Sequence, residues 1–177
     1  DSNLDTNQIT QNLSDETTQL TTTALQTGTT LLSRYVIQDT LGVGGMGAVY
    51  RARDMHFPNV VKLVAVKEMI NSAPDPLVRA TIVQNFEREA NLLATLNHPS
   101  IPRIYDYFTQ DNRAYLVLEF ILGKDLETVI NDTSGFLPED QVISWAIQLC
   151  DVLSFLHNHK PDPIIFRDMK PSNVMIN

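Results

Sequence analysis

Hydrophobic positions are organised only from about residue 34 onward, where short apolar runs alternate with turn residues. Residues 35–41 and 48–53 read as two strands joined by a glycine-rich turn. Residues 63–70 form a third strand, rich in β-branched side chains. From 78 to 96 the period changes: Ile82, Phe86, Ala90 and Leu93 recur at three- and four-residue steps, which predicts an amphipathic helix. Asn97-His98-Pro99 ends it, because the residue before a proline avoids the helical region. Residues 104–109 and 113–120 then read as a hairpin across Gln110-Asp111-Asn112. A second helix is expected from Pro138, with Glu139 and Asp140 suited to the positive end of its dipole. It should run to about residue 159 with Val142, Trp145, Leu149, Val152, Leu153 and Leu156 facing inward. An irregular segment, 161–173, and the start of a strand follow. Five strands around one helix, then a helical part, make an α+β plan with no internal repeat.

Residues 1–32 differ in kind. They hold ten threonines, four acids (Asp1, Asp5, Asp15, Glu16) and no Lys or Arg. So polar a stretch has too little apolar surface to offset its ordering entropy, and a flexible tail is expected. Leu13, Leu20 and Leu25 lie too far apart for a firm helical stripe. Within the tail, Asp15-Glu16-Thr17-Thr18 is an acidic-threonine cluster. Such clusters, once phosphorylated, suit arginine-bearing phosphothreonine readers such as forkhead-associated domains. An inert linker is the plainer reading.

Composition narrows the class. Hydrophobic residues make up 43% and charged residues 19%, the profile of a soluble globular protein. The 13 basic against 21 acidic residues give −8, which argues against a nucleic-acid footprint built on a clustered basic face. The longest apolar stretch, 114–122, contains Glu119 and is too short to span a bilayer, and no basic, apolar leader opens the chain. A lone Cys150 excludes an internal disulfide framework and fits a reducing compartment, so a cytoplasmic setting is expected. The first residue is Asp rather than Met, from which a piece of a longer protein is expected.

Four segments carry candidate chemistry. Gly42, Gly44 and Gly47 form a G-x-G-x-x-G pattern, whose glycines let backbone N–H groups approach phosphates. Alone, the pattern fits a plain hairpin turn or a dinucleotide fingerprint equally well. The fingerprint needs a helix straight after the turn, whereas Ala48, Val49 and Tyr50 read as strand. In Val64-Ala65-Val66-Lys67, Ala65 and Lys67 share one side of a strand, roughly 6.6 Å apart. A small residue there can lie under a flat ring while the lysine reaches toward phosphates. On the predicted helix Glu89 shares the inward face with Phe86 and Leu93, where an acid needs a counter-charge, while Glu87 reads as an exposed boundary residue. Residues 114–120 form an apolar strand ending at Glu119. The fourth segment, Ile164-Ile165-Phe166-Arg167-Asp168-Met169-Lys170-Pro171-Ser172-Asn173, would on its own be a polar turn after a helix.

Together these segments resemble the eukaryotic-like serine/threonine protein kinase family over residues 34–177. Gly42–Gly47 resembles its phosphate-covering loop with Val49 in place, 64–67 its V-A-I-K strand, and 166–173 its H-R-D-L-x-x-x-N loop. Gly-Gly-Met-Gly and Asn-His-Pro are similar to bacterial members. The resemblance implies a five-stranded antiparallel small lobe with one helix over 33–122. The beginning of a helical large lobe would occupy 123–177 and end just after the catalytic loop. It implies ATP and Mg²⁺ as cofactors and protein serine or threonine hydroxyls as substrates. Glu89 would pair with Lys67; residues 119–122 would be the hinge, with Glu119 and Ile121 at the adenine and Leu118 behind it; Asp125 would contact the ribose. Asp168 would accept the substrate proton, Lys170 would neutralise the γ-phosphate, and Asn173 would offer an oxygen to Mg²⁺.

Two positions depart from the family pattern. Phe166 stands where the family has a histidine of structural role, and Met169 where it has leucine, a volume-conserving change. Arg167 before the aspartate resembles kinases controlled by a phosphorylated activation loop. The D-F-G motif, that loop and the A-P-E motif fall outside the sequence, so slow or absent phosphate transfer by this chain alone is expected. Asn173 by itself is a poor Mg²⁺ site. The second predicted helix would then expose an apolar face that invites self-association or a covering partner. The alternative function is an ATP-binding pseudokinase-like or scaffold module without turnover.

Overall fold

The structure, a computed structural model, describes residues 24–44, 47–70, 76–111 and 113–177, the side chains of Ile70, Pro76, Arg79 and Glu89 excepted. The acidic-threonine cluster at Thr17 and Thr18 lies outside the described residues.

Alternating polarity is realised as an antiparallel sheet of six strands rather than the five expected. They are β1 (Thr30–Leu31), β2 (Tyr35–Gly44), β3 (Gly47–Asp54), β4 (Lys62–Ile70), β5 (Ile104–Gln110) and β6 (Arg113–Glu119), in the order β1-β2-β3-β4-β6-β5. In β3 every second residue is buried (Ala48, Tyr50, Ala52 and Asp54), the period of a strand with one covered face. Helix α1 (Pro76–Ala94) packs on the other face. Helix α2 (Leu126–Asp132), which the hydrophobic pattern did not reveal, and α3 (Glu139–His157) follow. A second ribbon pairs β7 (Lys124–Asp125) with β8 (Met175–Ile176).

Two clusters hold the sheet. On its outer face Leu31, Tyr35, Ile37, Tyr50, Val64, Val66, Tyr115 and Val117 are buried together, with Phe108 stacked between Tyr35 and Tyr115. Full burial of such side chains stabilises by about 1.5–3 kcal/mol each. On the helix face Phe86 and Ala90 of α1 meet Ala114 and Leu116 of β6. The α1 stripe is narrower than its sequence period suggests, for Ile82 remains 39% exposed.

The polar tail drawn to residue 32 does not extend so far in structure. Thr30 and Leu31 pair with Val36 and Tyr35, and Leu31 is 2% exposed. Ala24 and Leu25 pack on the outer-face cluster. Gly28 donates its N–H to the Ile37 carbonyl, Ile37 returns one to Thr29, and Leu32 N–H donates to Gln110 Oε1. Residues 24–32 are therefore a strap across the sheet. Composition concealed it because backbone hydrogen bonds and two or three apolar side chains suffice to dock a threonine-rich segment.

Arg34, at the start of β2, makes a two-pronged contact to Asp54, Nε to Oδ1 at 2.8 Å and Nη2 to Oδ2 at 2.9 Å. Further along, His98 lies between α1 and β5 and donates toward α3: its Nε2 is 3.1 Å from Asp151 Oδ2, and its ring lies against Phe155. In α3 Leu156 is buried, Trp145, Leu149, Val152 and Leu153 are half-buried, and Val142, expected inward, is exposed along with Ile143 and Ile147. No helix among the described residues is long and apolar enough to cross a membrane.

Candidate functional site

Strand register decides which side chains share a face. Val49 pairs with Lys67 and Lys67 with Leu116, while Ala65 pairs with Leu118. Partners in an antiparallel ladder project to the same side, so Val49, Ala65, Lys67, Leu116 and Leu118 occupy one face, the one on which α1 packs. Four of these positions, Val49, Ala65, Lys67 and Leu118, are candidates from the sequence, and the fold gathers them. Lys67 is exposed there, and among the described residues no carboxylate lies within salt-bridge distance of it. Glu89 belongs to α1 between Phe86 and Ala90, but its side chain lies outside the described residues.

The glycine pattern spans the tip of the β2–β3 hairpin. Gly42 pairs with Val49, Val43 with Ala48 and Gly44 with Gly47. Strand rather than helix follows Gly47, which removes the dinucleotide reading. A Cβ added at Gly42 or Gly44 would meet nothing within 4 Å, so the space over those residues is open. Gly47 is different. Its φ is 143°, and a Cβ there would lie 1.9 Å from the Glu68 carbonyl oxygen, so only glycine allows the tip to lie against β4.

Beyond β6, Glu119 N–H donates to the Arg103 carbonyl at 2.8 Å, fixing the end of the strand. Ile121 is half-buried and Leu122 is 81% exposed. Asp125, a candidate sugar ligand, is the N-cap of α2. Its Oδ1 accepts from Thr128 N–H at 2.8 Å and its Oδ2 from Thr128 Oγ1 at 2.7 Å. The Thr128 hydroxyl and N–H hold its carboxyl below the usual range. The same residue pairs with Met175, and Leu126 N–H donates to the Val174 carbonyl, so the chain leaving the sheet is stitched to the far end of the segment 164–173. Gly123 permits this approach, since a Cβ there would lie 1.9 Å from the Ile176 carbonyl oxygen.

In that segment Asp168, Lys170 and Asn173 form one exposed cluster. Lys170 Nζ lies 2.9 Å from Asp168 Oδ2. Asn173 sits on a 3₁₀ turn (Pro171–Asn173), and its Nδ2 donates to Asp168 Oδ2 at 3.0 Å and to the Asp168 carbonyl at 2.8 Å. Lys170 first, then Asn173, depress the Asp168 pKa, so its carboxyl is ionised at neutral pH. The proline inside the turn sets the φ that closes the loop on itself. Among the described residues no hydrogen bond or ion pair joins this cluster to Lys67, and no group of three His, Cys, Asp or Glu could hold a metal ion.

Sequence reasoning missed Glu68. It is 0% exposed and lies on the sheet face opposite Lys67, where its carboxylate accepts from Tyr50 Oη at 2.6 Å and Arg113 Nη1 at 2.5 Å. The signal was present: on a strand in which Val64 and Val66 point one way, Glu68 must point that way too.

Comparison with known proteins gives a consistent result. The protein kinase domain family matches residues 35–177. Serine/threonine-protein kinase B of Synechocystis sp. is 34% identical over 146 residues, covering 82% of this chain and 25% of that protein. Serine/threonine-protein kinase PknB of Mycobacterium leprae is 35% identical over 150 residues, covering 82% and 22%. Among solved structures, the Mycobacterium tuberculosis PknI kinase domain, as the C20A_R136N double mutant, superposes with a TM-score of 0.69 at 25% identity, over 86% of this chain and 58% of that one. The chain thus spans about a quarter of the length of these curated relatives. A glycine hairpin laid against a lysine strand, and an aspartate held by a lysine and an asparagine, are found here in a chain that belongs to the protein kinase family.

Proposed function

We propose that this chain supplies the nucleotide-binding sheet and the proton-accepting loop of an ATP-dependent serine/threonine protein kinase. The observation that carries the reading is the Asp168 cluster. An ionised, exposed carboxylate held by Lys170 and Asn173 is an acceptor fixed in place for the proton of an incoming hydroxyl.

The other residues have roles that follow from their positions. Gly42 and Gly44 leave room for phosphates over the hairpin, and Lys67 offers them a positive charge. Glu89 would hold Lys67 in place. Ala65 and Leu118 line the surface for a flat ring, with Val49 above and the 119–122 segment, including Glu119 and Ile121, beside it. The Asp125 carboxylate is committed to its helix, so a sugar hydroxyl would reach it only as a shared acceptor. Lys170, beside Asp168, would also meet the transferred group. ATP supplies that γ-phosphoryl group, and Mg²⁺ offsets its charge. The amide oxygen of Asn173, opposite the nitrogen given to Asp168, is the atom it would offer to Mg²⁺. It is one ligand of several that Mg²⁺ requires, the nucleotide phosphates being others. A protein serine or threonine is the substrate class, and a cytoplasmic setting fits a chain of this composition. The exposed Val142, Ile143 and Ile147 support an association surface on α3.

The test is Asp168→Asn in the full-length protein, assayed for phosphoryl transfer to a protein serine or threonine and for MgATP binding. Transfer should fall by about 10²–10⁴-fold with nucleotide affinity kept. Undiminished transfer would overturn the assignment.

A further inference from the structure

Three strands are tied together at the level of Lys67, from the side of the sheet away from it. Glu68 is the next residue of β4 and faces the outer side, fully buried. Tyr50 of β3 donates its hydroxyl to Glu68 Oε2, and Arg113 at the start of β6 donates to Glu68 Oε1. These strands flank β4 on either side, and they are the strands against which Lys67 registers through Val49 and Leu116. A buried carboxylate held by one neutral and one charged donor resists displacement, since breaking either bond leaves a desolvated charge underpaired. The Tyr50 hydroxyl has a second partner: it accepts the backbone N–H of Leu25, in the strap, at 3.0 Å. Burial and the Glu68 carboxylate push the Tyr50 phenol up to about 12, so it remains a donor at physiological pH.

We propose that Tyr50 and Glu68 are positioning residues for Lys67, and that through them the docking of residues 24–31 on one face of the sheet is linked to nucleotide binding on the other. The link is a short covalent and hydrogen-bonded path: Leu25 to Tyr50 to Glu68, then one peptide unit to Lys67. Because adjacent strand residues project to opposite faces, a twist of β4 that releases Glu68 also re-aims Lys67. Ahead of Leu31 the strap packs on the cluster through only the partly buried Ala24 and Leu25, so the attachment of that part is of the modest strength that a ligand on the other face can bias. The inference rests on the kinase reading for the claim that Lys67 meets a nucleotide.

Coupling of this kind is reciprocal. The experiment is hydrogen exchange of the amides of residues 25–31 with and without saturating MgATP, beside MgATP titrations of wild type, Tyr50→Phe, Glu68→Gln and Asp54→Asn. In wild type MgATP should slow exchange at Leu25 by about fivefold or more. Tyr50→Phe and Glu68→Gln should abolish that protection and weaken MgATP by a similar factor. Asp54→Asn, which disturbs the same sheet without touching the Tyr50–Glu68 pair, should lower stability and leave MgATP affinity alone. Saturable MgATP binding with no change in strap exchange would overturn the coupling and leave the nucleotide reading standing. Equal weakening by Asp54→Asn would reduce the pair to general support of the fold. No MgATP binding by any form would overturn the nucleotide reading and the coupling with it.

Discussion

Asn173 grips Asp168 twice with a single nitrogen, its Nδ2 lying 3.0 Å from the carboxylate and 2.8 Å from the backbone carbonyl of the same residue. With Lys170 on the same carboxylate oxygen, this sets both the direction and the charge of Asp168. Substituting either neighbour should therefore raise the Asp168 pKa toward the ordinary carboxylate value. Lys170→Met should raise it more than Asn173→Ala, since Lys170 is the larger cause. A side-chain carbon NMR titration of Asp168 reads this directly, without any need for turnover. An unmoved titration in Lys170→Met would mean that the cluster is not populated in solution.

Asp54 is buried and its pKa is held down at about 2, chiefly by its hydrogen bonds from Arg34. A folded-state pKa below the unfolded value contributes stability above about pH 4 that is lost as pH falls toward 2. Asp54→Asn should cost about 2 kcal/mol at neutral pH. It should also flatten the fall in stability between pH 4 and pH 2, measured by urea denaturation across that range. An acid limb equally steep in the variant would show that other carboxylates govern it.

Gly47→Ala and Gly42→Ala separate backbone need from open space. The first places a methyl on the Glu68 carbonyl at a φ that alanine avoids, and should cost on the order of 2–3 kcal/mol. The second meets nothing and should remain within about 0.5 kcal/mol of wild type. Equilibrium denaturation of both proteins checks the pair.

Leu31 separates a strap from a tail. A residue of a flexible tail tolerates truncation, whereas a side chain 2% exposed in the outer-face cluster does not. Leu31→Ala should lower stability by about 2–4 kcal/mol. A change below about 0.5 kcal/mol would return residue 31 to the tail.

What the sequence revealed, and what it hid, follow from how far each feature depends on local spacing. Lys67 and Ala65 share a face because strand geometry requires it, and Gly47 is followed by strand because Ala48, Val49 and Tyr50 favour one. The helix at 76–94 was visible in its period, as was the hairpin at 104–119. Three features depended on distant partners. Leu31 lies in a two-residue strand whose partner, Tyr35, is across a turn in which Leu32 and Ser33 take φ of 47° and 53°, uncommon for such residues. Asp125 caps α2 because Thr128 follows at capping distance, but the short helix it caps has no buried residue to mark it in the hydrophobic pattern. Glu68 could be placed on the outer face from alternation, but its tolerance there required Tyr50 and Arg113, one strand away on either side.

The central claim is that the face carrying Val49, Ala65, Lys67 and Leu118 receives a nucleotide. Calorimetric titration of this chain with ATP and Mg²⁺, beside Lys67→Met, tests it most directly. Saturable binding by wild type, weakened about tenfold by the loss of one charge-assisted phosphate contact, is the predicted result. Absence of saturable binding by wild type, or equal affinity in the two proteins, would contradict the account.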